Sequence, residues 1–209
     1  MQGQAEQVAA VVAVKAWSRA KSRLDALPAE RRSGLAAAMA LDTCLALTGA
    51  GLRLLVVTDE PLLPARWSAA GVPVEVLGDP GTDLNGALTA GDAELRRTGA
   101  STVLAVVADL PCLVPAAVSG LLAAAGAGRG RWFVPDSTGV GTTVLLARDR
   151  ELEPRFEGAS ADRHRRSGAQ PLAAPAGVRR DVDDEVSLER ALELGVGAHT
   201  AAWAADRPG

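Results

Sequence analysis

The stretch Val103-Leu104-Ala105-Val106-Val107-Ala108-Asp109-Leu110-Pro111 constrains this chain more than any other. A near-continuous aliphatic and β-branched run of this length reads as a strand buried on both faces of a parallel sheet. Pro111 stops it from continuing as a central ladder element. In open α/β sheets ligands sit beyond the carboxyl ends of the strands, which is where Asp109 falls. A carboxylate there suits a hard cation. It suits equally a turn, or a cap for the helix expected from Pro115.

The rest of the chain repeats the rhythm. Val8 to Val14 is a first buried strand, and Pro28 to about Thr48 is a helix closed by Gly49 and Gly51. Leu52 to Thr58 is a second strand, Trp67 rides on the helix after Asp59-Glu60-Pro61, and Val72 to Leu77 is a third, shorter strand. A helix from Asp83-Leu84-Asn85 to about Thr98 precedes the Val103 strand. Such alternation predicts βαβ units with right-handed crossovers. After Asp109 come a helix from Pro115 to Ala125, a short strand Trp132 to Asp136, and a strand Val144 to Ala147. Val178 to Asp184 reads as a short edge strand ending in acid, followed by a last helix to about Leu194. The whole is expected to be one domain of 209 residues, with a core over about 8–195. The tail 196–209 reads as poorly ordered, with Trp203 able to dock on the body.

Composition narrows the function. Lys and Arg number 22 against 25 Asp and Glu, a net charge of −3, so there is no electrostatic case for nucleic acid. The apolar run at Val8 is too short for a membrane span, and no basic segment precedes it as in a signal peptide. Cys44 and Cys112 lie in apolar settings without metal-ligand spacing, as reduced core residues of a cytoplasmic protein do.

Four segments carry chemistry. Lys15, Arg19, Lys21 and Arg23 follow the first strand, where cations suit a polyphosphate or form an ordinary solvated loop. Asn85 opens a helix, either facing a nucleotide base or ribose or serving as a plain N-cap. The loop Ser137 to Thr143 has glycines that let backbone approach a ligand, and hydroxyls on Thr142 and Thr143 suited to phosphate or carboxylate. Around Gly158 and Ser160, Ser160 is expected to cap a helix whose amides face an anion. His164 reads as a surface position on that helix, with a ligand contact as the other reading. Asp181 and Asp183, two apart, point to one side of an extended backbone. With Asp109 they make an oxygen-only set of the kind that binds Mg²⁺, although Asp183 or Asp184 can equally cap the last helix.

Taken in order, Val14-Lys15, Ala20-Lys21-Ser22-Arg23-Leu24, Leu84-Asn85-Gly86-Ala87-Leu88, Ala108-Asp109-Leu110-Pro111 and Gly141-Thr142-Thr143 form an ordered series. Phe156 to Ser160, Arg163-His164 and Arg180-Asp181-Val182-Asp183 continue it. Across nearly the whole chain this series resembles the 2-phospho-L-lactate or phosphoenolpyruvate guanylyltransferases of deazaflavin coenzyme (F-420) biosynthesis. Two departures are local: no Pro precedes Val14-Lys15, and Asp83 replaces a more usual Gly.

The resemblance implies an α/β nucleotidyltransferase fold, A-type glycosyltransferase-like and Rossmann-like, with a mostly parallel sheet flanked by helices. It implies Mg²⁺ on Asp109, Asp181 and Asp183, and GTP near Lys15, Lys21 and Asn85. It places phosphoenolpyruvate or 2-phospho-L-lactate near Thr142, Thr143, Gly158 and Ser160. Lys21 and Asp109 would carry the chemistry, and a downstream transferase would receive the product. Other nucleotidyltransferases of the fold, acting on molybdopterin or sugar phosphates, are the nearest alternative. Against them, the segment after the first strand lacks their Gly-rich phosphate loop. A non-catalytic nucleotide-binding domain is the third reading.

Overall fold

The computed structural model describes residues 7–17, 24 and 27–206. Lys21, Arg19 and Arg23, and with them most of the basic segment, lie outside the described residues. Seven strands form one sheet: β1 (Val8–Val14), β2 (Arg53–Thr58), β3 (Glu75–Gly78), β4 (Thr102–Val106), β5 (Gly130–Pro135), β6 (Thr142–Arg148) and β7 (Gln170–Pro171). Their order is β3-β2-β1-β4-β6-β5-β7. The first four run parallel, with Val11 opposite Leu55 on one side and Ala105 on the other. β6 enters antiparallel between β4 and β5. The sheet is thus mostly parallel, as expected.

Helices cover both faces: α1 (Ala29–Gly49), α2 (Leu63–Ala69), α3 (Leu84–Arg97), α4 (Pro115–Ala124), α5 (Ser160–Arg166), α6 (Ala176–Arg179), α7 (Glu185–Leu194) and α8 (Ala198–Ala205). Because successive strand residues face opposite ways, the apolar runs feed two cores. Ala10, Val12, Val56, Leu104 and Val106 pack with Ala40, Leu47 and Val118 of α1 and α4. Ala9, Val11, Val57, Val103 and Ala105 pack with Leu88 and Leu95 of α3. Gly91 makes the α3 contact close: a Cβ there would stand 2.4 Å from a Val11 methyl carbon and 3.1 Å from one of Val57.

Two expectations fail. Residues 178–184 are not an edge strand: Val178 and Arg179 close the short helix α6, and the chain from Arg180 leaves it with φ −101° and ψ 83° and joins no ladder. The edge of the sheet is β7, beside β5. The tail as far as Asp206 is not loose either. α8 lies on α1, with the Asp42 carboxylate accepting the His199 and Thr200 amides at 3.1 and 2.8 Å. Trp203 donates its indole N–H to Arg31 O at 3.1 Å, beneath the Arg31 guanidinium.

Candidate active site

The carboxyl ends of β1, β4 and β5 and the start of β6 meet at one end of the sheet, around a cleft of about 540 Å³. Its walls include Lys15, Asp109, Asp136, Thr142, Gly158, Ser160, Asp181 and Asp183. Asp109 stands three residues beyond β4 on a turn tied to α1, where the buried Thr43 hydroxyl accepts the Leu110 amide at 3.2 Å. The Val182 amide donates to Asp109 O at 3.2 Å, and the Val182 side chain is fully buried. That anchor sets the residues on either side, Asp181 and Asp183, into the same cleft wall as Asp109. The three acids therefore line one cleft, although a loop rather than an edge strand delivers two of them.

Their crowding has an electrostatic consequence. Burial, followed by the negative charges of Asp109 and Asp183, raises the Asp181 carboxyl to about 7, with Asp136 adding to the effect. A cation sharing the site would favour the charged form of Asp181. An all-oxygen set of this kind suits a hard divalent ion, and neither histidine nor cysteine lines the cleft to favour a softer one. Among the described residues, no three acidic, histidine or cysteine side chains converge closely enough to form a ready-made metal cage.

The opposite wall is a braced loop. Asn85 accepts the Phe156 amide at 2.6 Å and donates to Phe156 O at 3.3 Å. One N–H and the carbonyl of its amide are thereby engaged with the protein's own backbone, so Asn85 latches the loop, and it is not among the residues that line the cleft. Asp83, not Asn85, caps α3, accepting Gly86 N at 2.8 Å. Beyond Phe156, Glu157 (φ 76°) and Gly158 (φ 49°) adopt left-handed backbone. For Glu157 that conformation is uncommon, and it persists because the Asn85 bonds and the Arg163 guanidinium, which donates to Glu157 O, over-determine the loop. Ser160 lines the cleft as the first residue of α5. It does not cap that helix, since the N-cap position belongs to Ala159.

The two threonines part company. Thr142 lines the cleft. Thr143, the next residue along β6, points the other way and is fully buried, with its hydroxyl aimed at Val134 O at 3.5 Å. Thr143 therefore offers no side chain to a ligand. His164 is not a surface residue, and it is not among the residues that line the cleft. It is fully buried, with its Nδ1 2.9 Å from Thr142 Oγ1 and its Nε2 accepting the Arg155 amide at 2.9 Å. Burial, with the charges of Arg155, Arg163 and Arg131 behind it, pushes the imidazole down to about 4, so it is neutral near pH 7.

On the β1 side Lys15 stands exposed at the cleft. Ala16 N donates to Asp59 at 2.8 Å and Trp17 N to Glu60 at 3.1 Å, so the acidic pair after β2 shapes the backbone after β1. Trp17 is buried against Trp67 with ring centroids 6.0 Å apart, and it also borders the cleft.

Asp136 is a site residue that sequence reading passed over. It follows β5 as Asp109 follows β4, and that shared pattern of an apolar strand ending in Asp was its legible signal. Its Oδ1 accepts from Thr138 N, Thr138 Oγ1 and Val140 N at 3.0, 2.8 and 3.1 Å, which shapes the loop before Thr142.

Comparison with known proteins places this arrangement. The family described as "Guanylyl transferase CofC like" matches residues 8–170. A Streptomyces scabiei protein named phosphoenolpyruvate guanylyltransferase is 46% identical over 205 residues, covering 93% of this chain and 94% of its own length. A Geodermatophilus obscurus protein of the same name is 41% identical, covering 92% and 95%. Among solved structures, 4-diphosphocytidyl-2C-methyl-D-erythritol synthase from Anaerococcus prevotii matches with a TM-score of 0.61 at 7% identity, covering 90% and 94%. A Mycobacterium tuberculosis H37Rv protein solved in complex with manganese gives a TM-score of 0.54 at 23% identity, covering 91% and 100%. Those two likenesses show the fold alone: a nucleotidyltransferase-type sheet. The family match and the full-length relatives together mean that this chain belongs to the CofC-like guanylyl transferase family.

Proposed function

We propose that this protein transfers GMP from GTP to the phosphate of phosphoenolpyruvate in deazaflavin coenzyme (F-420) biosynthesis. The observation that carries the reading is the 46% identity to a relative named for that activity, over 93% of this chain and 94% of the relative. Among the described residues the cleft is lined by carboxylates, hydroxyls and Lys15, which fits a reaction that needs alignment and charge neutralisation more than an acid–base pair.

In this reading a phosphate oxygen of phosphoenolpyruvate attacks the α-phosphorus of GTP. The bond from that phosphorus to the β-phosphate oxygen breaks, and pyrophosphate leaves. Thr142, Gly158 and Ser160 hold the three-carbon acid, and Lys15 and Lys21 neutralise the triphosphate. Asp109, Asp181 and Asp183 would hold Mg²⁺, which supplies charge neutralisation at the reacting phosphates. The wall formed by Glu157 and Gly158 orients the acid because Asn85 and Arg163 fix its backbone. The product would pass to a downstream transferase in the cytoplasm. Among the described residues no helix is long and apolar enough to cross a membrane.

Pyrophosphate release tests the reading. Purified protein, GTP and Mg²⁺ are supplied with phosphoenolpyruvate, 2-phospho-L-lactate or no acid, together with the downstream transferase and its acceptor. The expected result is release that requires phosphoenolpyruvate and disappears in Asp109→Asn. Release with 2-phospho-L-lactate alone would replace the substrate, and no release with either acid would overturn the proposal.

A further inference from the structure

We infer that His164 is a positioning residue that turns the Thr142 hydroxyl into an obligate hydrogen-bond donor toward the anionic acid in the cleft. The inference rests on the phosphoenolpyruvate reading above, but the hydrogen-bond logic that carries it is independent of the substrate's name.

A backbone N–H can only donate. The Arg155 amide lies 2.9 Å from His164 Nε2, so that nitrogen must keep its lone pair. A neutral imidazole then carries its hydrogen on Nδ1, the nitrogen 2.9 Å from Thr142 Oγ1. The Nδ1 hydrogen therefore faces the threonine, with the Ser160 backbone as its other partner, and the threonine cannot donate to the ring. Its own hydrogen has no acceptor among the described residues, while the side chain lines the cleft. A hydroxyl that accepts on one side and is free to donate on the other is polarised toward an anion. Without the imidazole, the same hydroxyl would be free to rotate and spend its hydrogen elsewhere.

The ring itself has no freedom to change partner. It is fully buried, with Phe156 edge-on at 5.2 Å between ring centroids and Phe133 tilted at 5.8 Å. Phe156 is the residue latched by Asn85, and Arg155 precedes it. The loop wall, the imidazole and the threonine thus form one connected unit, in which loop placement sets the tautomer and the tautomer sets the hydroxyl. A histidine that only filled the core would show no such dependence.

Two measurements test this. In the folded wild type, nitrogen-resolved NMR of the imidazole should find the hydrogen on Nδ1 and a bare Nε2; the reverse tautomer would overturn the inference without touching the proposed reaction. In kinetics, His164→Phe and Thr142→Val should each raise KM for phosphoenolpyruvate by about ten- to a hundredfold, the worth of one hydrogen bond to a charged oxygen. KM for GTP should stay within about threefold in both. The double variant should be no worse than Thr142→Val alone, because the two residues act through one bond. Thr142→Ser, which keeps the hydroxyl, should recover most of the KM lost in Thr142→Val, and His164→Leu, which has neither donor nor acceptor, should show the same rise as His164→Phe if that variant fails to fold. A wild type inactive with phosphoenolpyruvate would sink the proposed function, whereas an active wild type with additive effects, or with both KM values rising together, would sink the positioning role.

Discussion

The Thr43 hydroxyl, buried in the middle of α1, accepts the Leu110 amide at 3.2 Å and so holds the turn on which Asp109 stands. Replacing that hydroxyl with a methyl leaves a buried N–H without a partner at little change in volume. Thr43→Val is expected to cost about 1–3 kcal/mol of stability. It should lower kcat by about tenfold or more, because Asp109 loses its fixed place while its charge remains. Chemical denaturation and steady-state kinetics on the same preparation check both parts. A stable variant with full activity would show that the turn holds itself.

Asn85 has a separable role. Asn85→Leu removes both bonds to Phe156 and frees the left-handed segment at Glu157 and Gly158. KM for phosphoenolpyruvate should rise by about tenfold or more, with KM for GTP little changed, the opposite of the pattern expected if Asn85 read the base. Initial-rate measurements with each substrate varied in turn distinguish the two.

Asp42 anchors the final helix from far away in sequence. Asp42→Ala should cost about 1–2 kcal/mol through the lost cap at His199 and Thr200. The Trp203 environment should loosen, visible as a shift in tryptophan emission, with kcat within about twofold of wild type. A large loss of activity at unchanged stability would contradict a purely anchoring role.

Acid sensitivity should carry two opposed contributions. The His164 ring stays neutral in the fold down to about 4, while the unfolded chain protonates it below 6.5. The unfolded state therefore binds more protons in that window, and this contribution falls as pH falls, by an amount on the order of 3 kcal/mol. Asp181 has the reverse sign, since its folded value of about 7 lies above the ordinary 3.8 and the fold holds the extra proton. In metal-free protein that contribution falls as pH rises. His164→Gln should leave a variant whose stability declines from mildly acidic to neutral pH, and Asp181→Asn one whose stability climbs over the same range. Saturating Mg²⁺ should flatten the decline in His164→Gln. Urea midpoints across the window check each sign.

What the sequence made legible follows from locality. The aliphatic runs of β1, β2 and β4 announce themselves because a strand buried on both faces needs nothing but apolar residues. The three acids were visible as strand-end and paired carboxylates. Residues 178–184 misled because Val178 and Val182, an even number of positions apart, would share one face of a strand, while Pro175 and Gly177 instead open a helical turn. His164 misled because Arg163, Arg165 and Arg166 surround it. The inward face of α5 was nevertheless readable, since Ser160, Ala161 and His164 fall at helical spacing and all three are buried. Thr143 was paired with Thr142 on chemistry alone, although strand alternation already sent the two hydroxyls to opposite faces. The Asp42 cap and the Asn85 latch join residues far apart in the chain, and no local pattern announces such partners.

The most direct test of the account follows the atoms. GTP labelled at the α-phosphorus and, in a parallel reaction, at the γ-phosphorus is incubated with carbon-labelled phosphoenolpyruvate, Mg²⁺ and the protein. The account predicts one product containing the α label and the carbon label in equal amounts, with the γ label only in pyrophosphate, and neither in Asp109→Asn. Transfer of the γ label to the acid, or an α label that never joins the carbon label, would contradict it.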